Sequence, residues 1–195
     1  GKTRLALKVA EEIVAASSQR FADGVFFVPL ENVGDADGLV SALISAIAAE
    51  SGFPLHVDAP LLEQLGHFLN SKAMLLVLDN FEHLVKHADL CSTLLGAAPG
   101  VKLLVTSRET LGLQEAWFYP LLGLTLPNGR QEHKAPPGED DAVRLFAQCA
   151  RRTLPSFDLA AERAAVFRIC TLVEGMPLGI ELAAAWLKVM TCEQI

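Results

Sequence analysis

Met74-Leu75-Leu76-Val77-Leu78-Asp79-Asn80-Phe81-Glu82-His83-Leu84 is the stretch that decides the fold. Met74 to Leu78 is a continuous apolar run, which suits a central parallel strand buried on both faces. The run ends in a carboxylate. In open α/β sheets, ligands sit beyond the carboxyl ends of the strands, so Asp79 stands where a ligand would be met. An aspartate that only caps the following helix would leave the same trace.

Upstream, Asp23-Gly24 reads as a turn and Val25-Phe26-Phe27-Val28-Pro29-Leu30 as a second buried strand. Between the two strands lies a helix carrying Leu39, Val40, Leu43, Ile44 and Ile47, with Asp35 or Asp37 as its cap. Ser51 to Pro60 is a loop rich in breakers, and Leu61 to Leu69 returns to helical periodicity. Downstream, a helix from about Glu82 to Leu95 is broken at Pro99-Gly100. Val101 to Val105 is the next strand, closed by Thr106-Ser107-Arg108, and a short apolar run at Leu121 to Leu126 reads as the last. At the amino end, Leu5, Val9, Ile13 and Ala16 recur at helical spacing. This alternation predicts an α/β fold with a doubly wound parallel sheet.

The composition shifts at Pro127 to Glu139, where Asn128-Gly129 and Pro136-Pro137-Gly138 mark a linker. Beyond it, Asp141 to Arg152, Leu159 to Val173 and Pro177 to Met190 all read as helices. The expected organisation is a core domain over 1–127 and a small helical domain over 139–195.

Gly1-Lys2-Thr3 is the tail of G-x-x-x-x-G-K-[ST]. In that motif, backbone N–H groups cradle phosphates, the lysine reaches the β- and γ-phosphates, and the hydroxyl ligates Mg²⁺. By itself G-K-T also fits an ordinary helix start. In a P-loop fold, Asp79 would hold the same Mg²⁺. Thr3 and Asp79 are therefore the metal candidates. Asn80 stands where many P-loop ATPases carry a second carboxylate, and an amide cannot take a proton from water. Either Glu82 fills that role or hydrolysis is slow.

Arg108, at the end of the neighbouring strand, could face the γ-phosphate, because an arginine is always charged and matches phosphate geometry. A surface pair with Glu109 is the plainer reading. Glu174-Gly175-Met176-Pro177-Leu178 is a turn that starts a helix at Pro177. His83, His87 and Cys91 fall at i, i+4 and i+8, one face of a helix, but one helix cannot enclose a zinc ion. Cys149 and Cys170, among leucine, phenylalanine and alanine, read as core residues.

The 195 residues carry a net charge of -7, a poor match for DNA or RNA phosphates. Direct nucleic-acid binding is not expected of this stretch. Four unpaired cysteines and the absence of a long apolar span fit a reduced, cytoplasmic setting away from membranes.

Taken together, these stretches resemble the STAND class of P-loop ATPases, related to the NB-ARC domain. The likeness is to the bacterial branch found in LuxR-type and SARP-type transcriptional regulators. The matching text includes Phe21-Ala22-Asp23-Gly24-Val25-Phe26-Phe27-Val28, Leu75 to Leu84, Val105-Thr106-Ser107-Arg108-Glu109-Thr110-Leu111, Asp141-Ala142-Val143-Arg144-Leu145-Phe146, and Glu174 to Ala183. The resemblance implies a P-loop NTPase core followed by the start of a helical lid. It implies an ATP/ADP switch with Mg²⁺ and slow hydrolysis, flanked by sensor and effector domains, and oligomeric in the ATP state. It also implies that Gly1, Lys2 and Thr3 bind phosphate, that Arg108 senses the γ-phosphate and that Pro177 packs near the adenine. A nucleotide-binding scaffold without turnover is the alternative that Asn80 motivates. The strand and first glycine of the motif would precede Gly1, so residues 1–195 by themselves are expected to bind ATP poorly or not at all.

Overall fold

A computed structural model describes residues 1–16, 19–53, 59–126 and 140–195, so the expected linker at Pro127 to Glu139 lies outside the described residues. The described chain divides into two compact units, Lys2–Tyr119 and Pro120–Ile195, with Gly1 grouped in the latter.

The first unit is a mixed α/β structure. Helix α1 (Lys2–Ala15) precedes strand β1 (Gly24–Pro29), helices α2 (Ala36–Ser51) and α3 (Leu61–Leu69) and strand β2 (Met74–Asp79). A 3-10 helix (Phe81–His87), helix α4 (Asp89–Ala97) and strand β3 (Lys102–Val105) complete it. The three strands are parallel in the order β1-β2-β3. Pro29 pairs with Asp79, and Leu78 pairs with Val105, so the carboxyl ends of all three strands lie level.

Strand β2 shows why its apolar run is unbroken. Side chains alternate across a strand. Leu75 and Val77 pack with Ala6 and Ala10 of α1. Met74, Leu76 and Leu78 pack into a cluster with Leu39 and Ile47 of α2, Leu65 and Leu69 of α3 and Leu94 of α4. Both faces are covered, so neither tolerates a polar residue.

Three expectations are corrected. Helix α1 buries Ala6 and Ala10, while Leu5 and Val9 are 45% and 37% exposed. Apolar residues occupy more than one stripe of this helix, and small alanines let the helix backbone approach the sheet. The helix expected from Glu82 to Leu95 is two elements. Phe81 and Leu84, both 0% exposed, are three apart, and that spacing lies on one line in a 3-10 helix. Finally, Leu121 to Leu126 forms no strand. It belongs to the second unit, where Leu124 and Leu126 pack on the helical core.

Two acidic side chains fix local turns. Asp35 caps α2, accepting from the Gly38 N–H at 2.8 Å. The Asp23 carboxylate accepts from the Ala73 N–H at 2.8 Å and from Lys72 Nζ at 3.0 Å, which ties the starts of β1 and β2 together. The Ala73 amide, and after it Lys72, hold this carboxyl below the usual carboxylate range. A depressed folded pKa adds stability above the unfolded value and loses it as pH falls through the folded one. Asp23→Asn is therefore expected to melt below wild type at pH 7, with the gap narrowing as pH falls below the ordinary carboxylate range, in thermal scans across acid pH.

The second unit holds helices α5 (Asp141–Thr153), α6 (Leu159–Leu172) and α7 (Pro177–Ala185), followed by a 3-10 turn (Trp186–Lys188). Its core includes Phe146, Val166, Ile169, Cys170 and Ile180. Glu174 and Gly175, with φ of 52° and 66°, end α6, and Pro177 opens α7. The Leu124 N–H donates to Gly175 O at 2.8 Å, fastening the extended segment to this turn.

Candidate functional site

The carboxyl ends of the strands meet the first turn of α1 at Asp79. Thr3 Oγ1 donates to Asp79 Oδ2 at 3.1 Å, joining residues 76 positions apart in sequence. Thr106 Oγ1 donates to the other carboxylate oxygen, Oδ1, at 2.5 Å. The Asp79 carbonyl accepts from the Leu30 N–H at 3.1 Å, so the end of β1 is held to the same residue.

The turn after β2 is pinned to the segment after β3. Thr106 Oγ1 accepts from the Asn80 N–H at 3.0 Å. The Thr106 carbonyl accepts from the Phe81 N–H at 2.9 Å, and the Thr106 N–H donates to Leu78 O at 2.9 Å. Asn80 sits in the left-handed region, φ 68° and ψ 51°. Asparagine tolerates that conformation better than most side chains. Its presence thus has a backbone reason beside any chemical one.

Arg108 Nε lies 3.2 Å from Glu82 Oε1, with the arginine side chain 80% exposed and the glutamate 21%. The plain reading of Arg108 as a surface cation therefore has its partner in Glu82 and not Glu109, whose N–H donates to Ser107 Oγ. The second carboxylate oxygen, Glu82 Oε2, is buried without a hydrogen-bond partner.

Of the candidates, Lys2, Thr3, Asp79, Asn80, Glu82 and Arg108 belong to the first unit, and Gly1 and Pro177 are grouped with the second. Thr3 and Asp79 are in direct contact. Their hydroxyl and carboxylate are hard oxygen donors of the kind Mg²⁺ takes, with water completing its shell. The residues present therefore fit that ion. Thr106 was missed by sequence reasoning. Its only signal was its place one residue after a strand, beside the more conspicuous Arg108.

The histidine and cysteine spacing makes no site. His83 and His87 lie in the 3-10 helix, where a step of four does not return to the same face. His83 is exposed, while Cys91 is buried at 5% exposure. Burial pushes the Cys91 thiol up to about 11. Among the described residues, no group of three or more His, Cys, Asp or Glu side chains could hold a metal. Cys170 is fully buried in the helical core, as expected, and Cys149 packs against that core.

Relatives are found over nearly the whole chain. It is 36% identical over 196 residues to proteins of Mycobacterium tuberculosis and Mycobacterium bovis, each named "Putative HTH-type transcriptional regulator". The match covers 98% of this chain but 19% of theirs. It is also 33% identical over 189 residues to an uncharacterized protein of Mycobacterium tuberculosis, covering 95% of this chain and 42% of that one. The chain thus spans about a fifth of the length of the first of these relatives. No protein-family model matches the chain. Among the described residues, no helix is long and apolar enough to cross a membrane.

Proposed function

We propose that this chain is an ATP/ADP-binding switch module of a larger, signal-responsive transcriptional regulator. The carrying observation is the hydrogen bond from Thr3 to Asp79, which brings the end of G-K-T to the strand-end aspartate. The three parallel strands, with helices against both faces of β2, are then part of a doubly wound P-loop core. Gly1 and Lys2 would bind phosphate, and Thr3 and Asp79 would hold Mg²⁺. Mg²⁺ would supply charge neutralisation across the phosphates.

Slow hydrolysis follows from two features. Asn80 offers no carboxylate, and Glu82 is engaged by Arg108. The same two features support the second reading, a nucleotide-binding scaffold without turnover. Arg108 would sense the γ-phosphate by leaving Glu82 for it, and Pro177 would pack near the adenine, as the resemblance implies. Sensor and effector domains would lie elsewhere in a cytoplasmic parent protein, with a homo-oligomer in the ATP state. DNA contact would fall to those other parts, since this chain has a net charge of -7.

Calorimetric titration of the full-length protein with ATP and ADP, with and without Mg²⁺, tests the reading. Saturable, Mg²⁺-dependent ATP binding that weakens by roughly tenfold or more in Lys2→Ala is expected, the scale of losing a charge-assisted contact. Absence of nucleotide binding would overturn it. Phosphate release separates slow turnover from none. Arg108→Ala is expected to bring ATP and ADP affinities closer together, and an unchanged ratio would remove Arg108 as the sensor.

A further inference from the structure

We propose that Thr106 is a positioning residue: its hydroxyl sets the orientation of the Asp79 carboxylate toward Thr3, and so tunes Mg²⁺-dependent nucleotide binding. The inference rests on the nucleotide reading above and adds a residue to it.

Thr106 and Gln64 are the buried polar side chains among the described residues, at 7% and 8% exposure. Gln64 is explained locally, since its side chain donates to Ala59 O at 2.6 Å just ahead of α3. Thr106 is different. Its N–H, its carbonyl and its hydroxyl all bond to residues 78–81. A hydroxyl has one proton to donate, and here it goes to Asp79 Oδ1 at 2.5 Å. The Asn80 N–H donates to Thr106 Oγ1 at 3.0 Å and so keeps the hydroxyl proton turned toward the carboxylate.

The carboxylate is therefore held on one side by a buried donor. Rotating it would break the bond to Thr106 and the bond from Thr3 to Oδ2 together. Threonine suits the task because two heavy atoms on Cβ restrict χ1. Partners that orient a metal-binding carboxylate without touching the metal govern its affinity. Arg108 lies two residues further along the same segment. A shift of that segment would reach Asp79 through Thr106.

The test uses Thr106→Val, which keeps the shape and removes the hydroxyl, and Thr106→Ser, which restores it. ATP affinity of the full-length protein is measured with Mg²⁺ and with chelator. Thr106→Val is expected to weaken binding in Mg²⁺ by about 10- to 100-fold, the range for losing such a partner, while leaving chelator-phase binding as in wild type. Thr106→Ser is expected to recover most of the Mg²⁺ dependence. Wild-type Mg²⁺ dependence in Thr106→Val overturns the proposal. So does an equal loss with and without Mg²⁺, which marks a role in folding alone. If Thr106→Val does not fold, Thr106→Cys, a weak donor of similar size, carries the same comparison. A wild-type protein that binds no nucleotide overturns the nucleotide reading itself, and this inference falls with it.

Discussion

Asp79→Asn is expected to abolish the Mg²⁺ dependence of ATP binding by the full-length protein, weakening affinity in Mg²⁺ by about 100-fold or more. Losing an outer partner of a ligand costs up to about 100-fold, and Asp79 is the proposed ligand itself. The substitution keeps the shape. Its amide oxygen can still accept from Thr106, and its amide nitrogen can face Thr3, so both contacts at 2.5 and 3.1 Å have replacements. The melting temperature should therefore stay near wild type. Titration with Mg²⁺ and with chelator, beside a thermal scan, checks both halves. Full Mg²⁺ dependence in Asp79→Asn would remove Asp79 as the metal residue.

Gly175→Ala is expected to destabilise the 120–195 unit by about 3 kcal/mol. A left-handed backbone costs a non-glycine residue roughly 1–2 kcal/mol, and overpacking adds about 1–3 kcal/mol. Gly175 has φ of 66°, and an added Cβ would run into the carbonyl oxygen and the nitrogen of Leu124. That crowding comes from the segment whose Leu124 N–H donates to Gly175 O. Gly52 is the control. It has φ of 64° with nothing within 4 Å of an added Cβ, so Gly52→Ala should cost only the backbone part, about 1–2 kcal/mol. Urea denaturation of both variants decides it, and equal losses would mean that the Leu124 contact adds nothing.

Much of the first unit was legible because its signals are local. The run Met74 to Leu78 is apolar at every position since α1 covers one face of β2 and the α2, α3 and α4 cluster covers the other. Asp35 and Asp37 announced a helix start by their type, and the structure shows Asp35 as the cap of α2. The errors share a cause, which is that periodicity does not name the partner. Ala6 and Ala10 against Leu5 and Val9 is a choice between two apolar stripes, settled by which lets α1 come close to the sheet. Leu121 to Leu126 has the apolar content of a strand. Its Leu124 N–H goes instead to the turn at Gly175, and Leu124 and Leu126 pack on the core around Phe146, while Leu121 and Leu122 are exposed.

The sequence by itself determined the alternation of strands and helices, a carboxylate at the end of β2 and a lysine and hydroxyl at the start of α1. These follow from residue type and spacing along the chain. Only the tertiary structure decided that Thr3 reaches Asp79 and that Thr106 holds the other oxygen of the same carboxylate. Thr106 is an ordinary residue in the sequence, one place past a strand. It becomes a buried donor because the parallel register sets Val105 beside Leu78. The next residue of each strand then meets its neighbour at the carboxyl edge of the sheet, and an acceptor at Asp79 must be satisfied there.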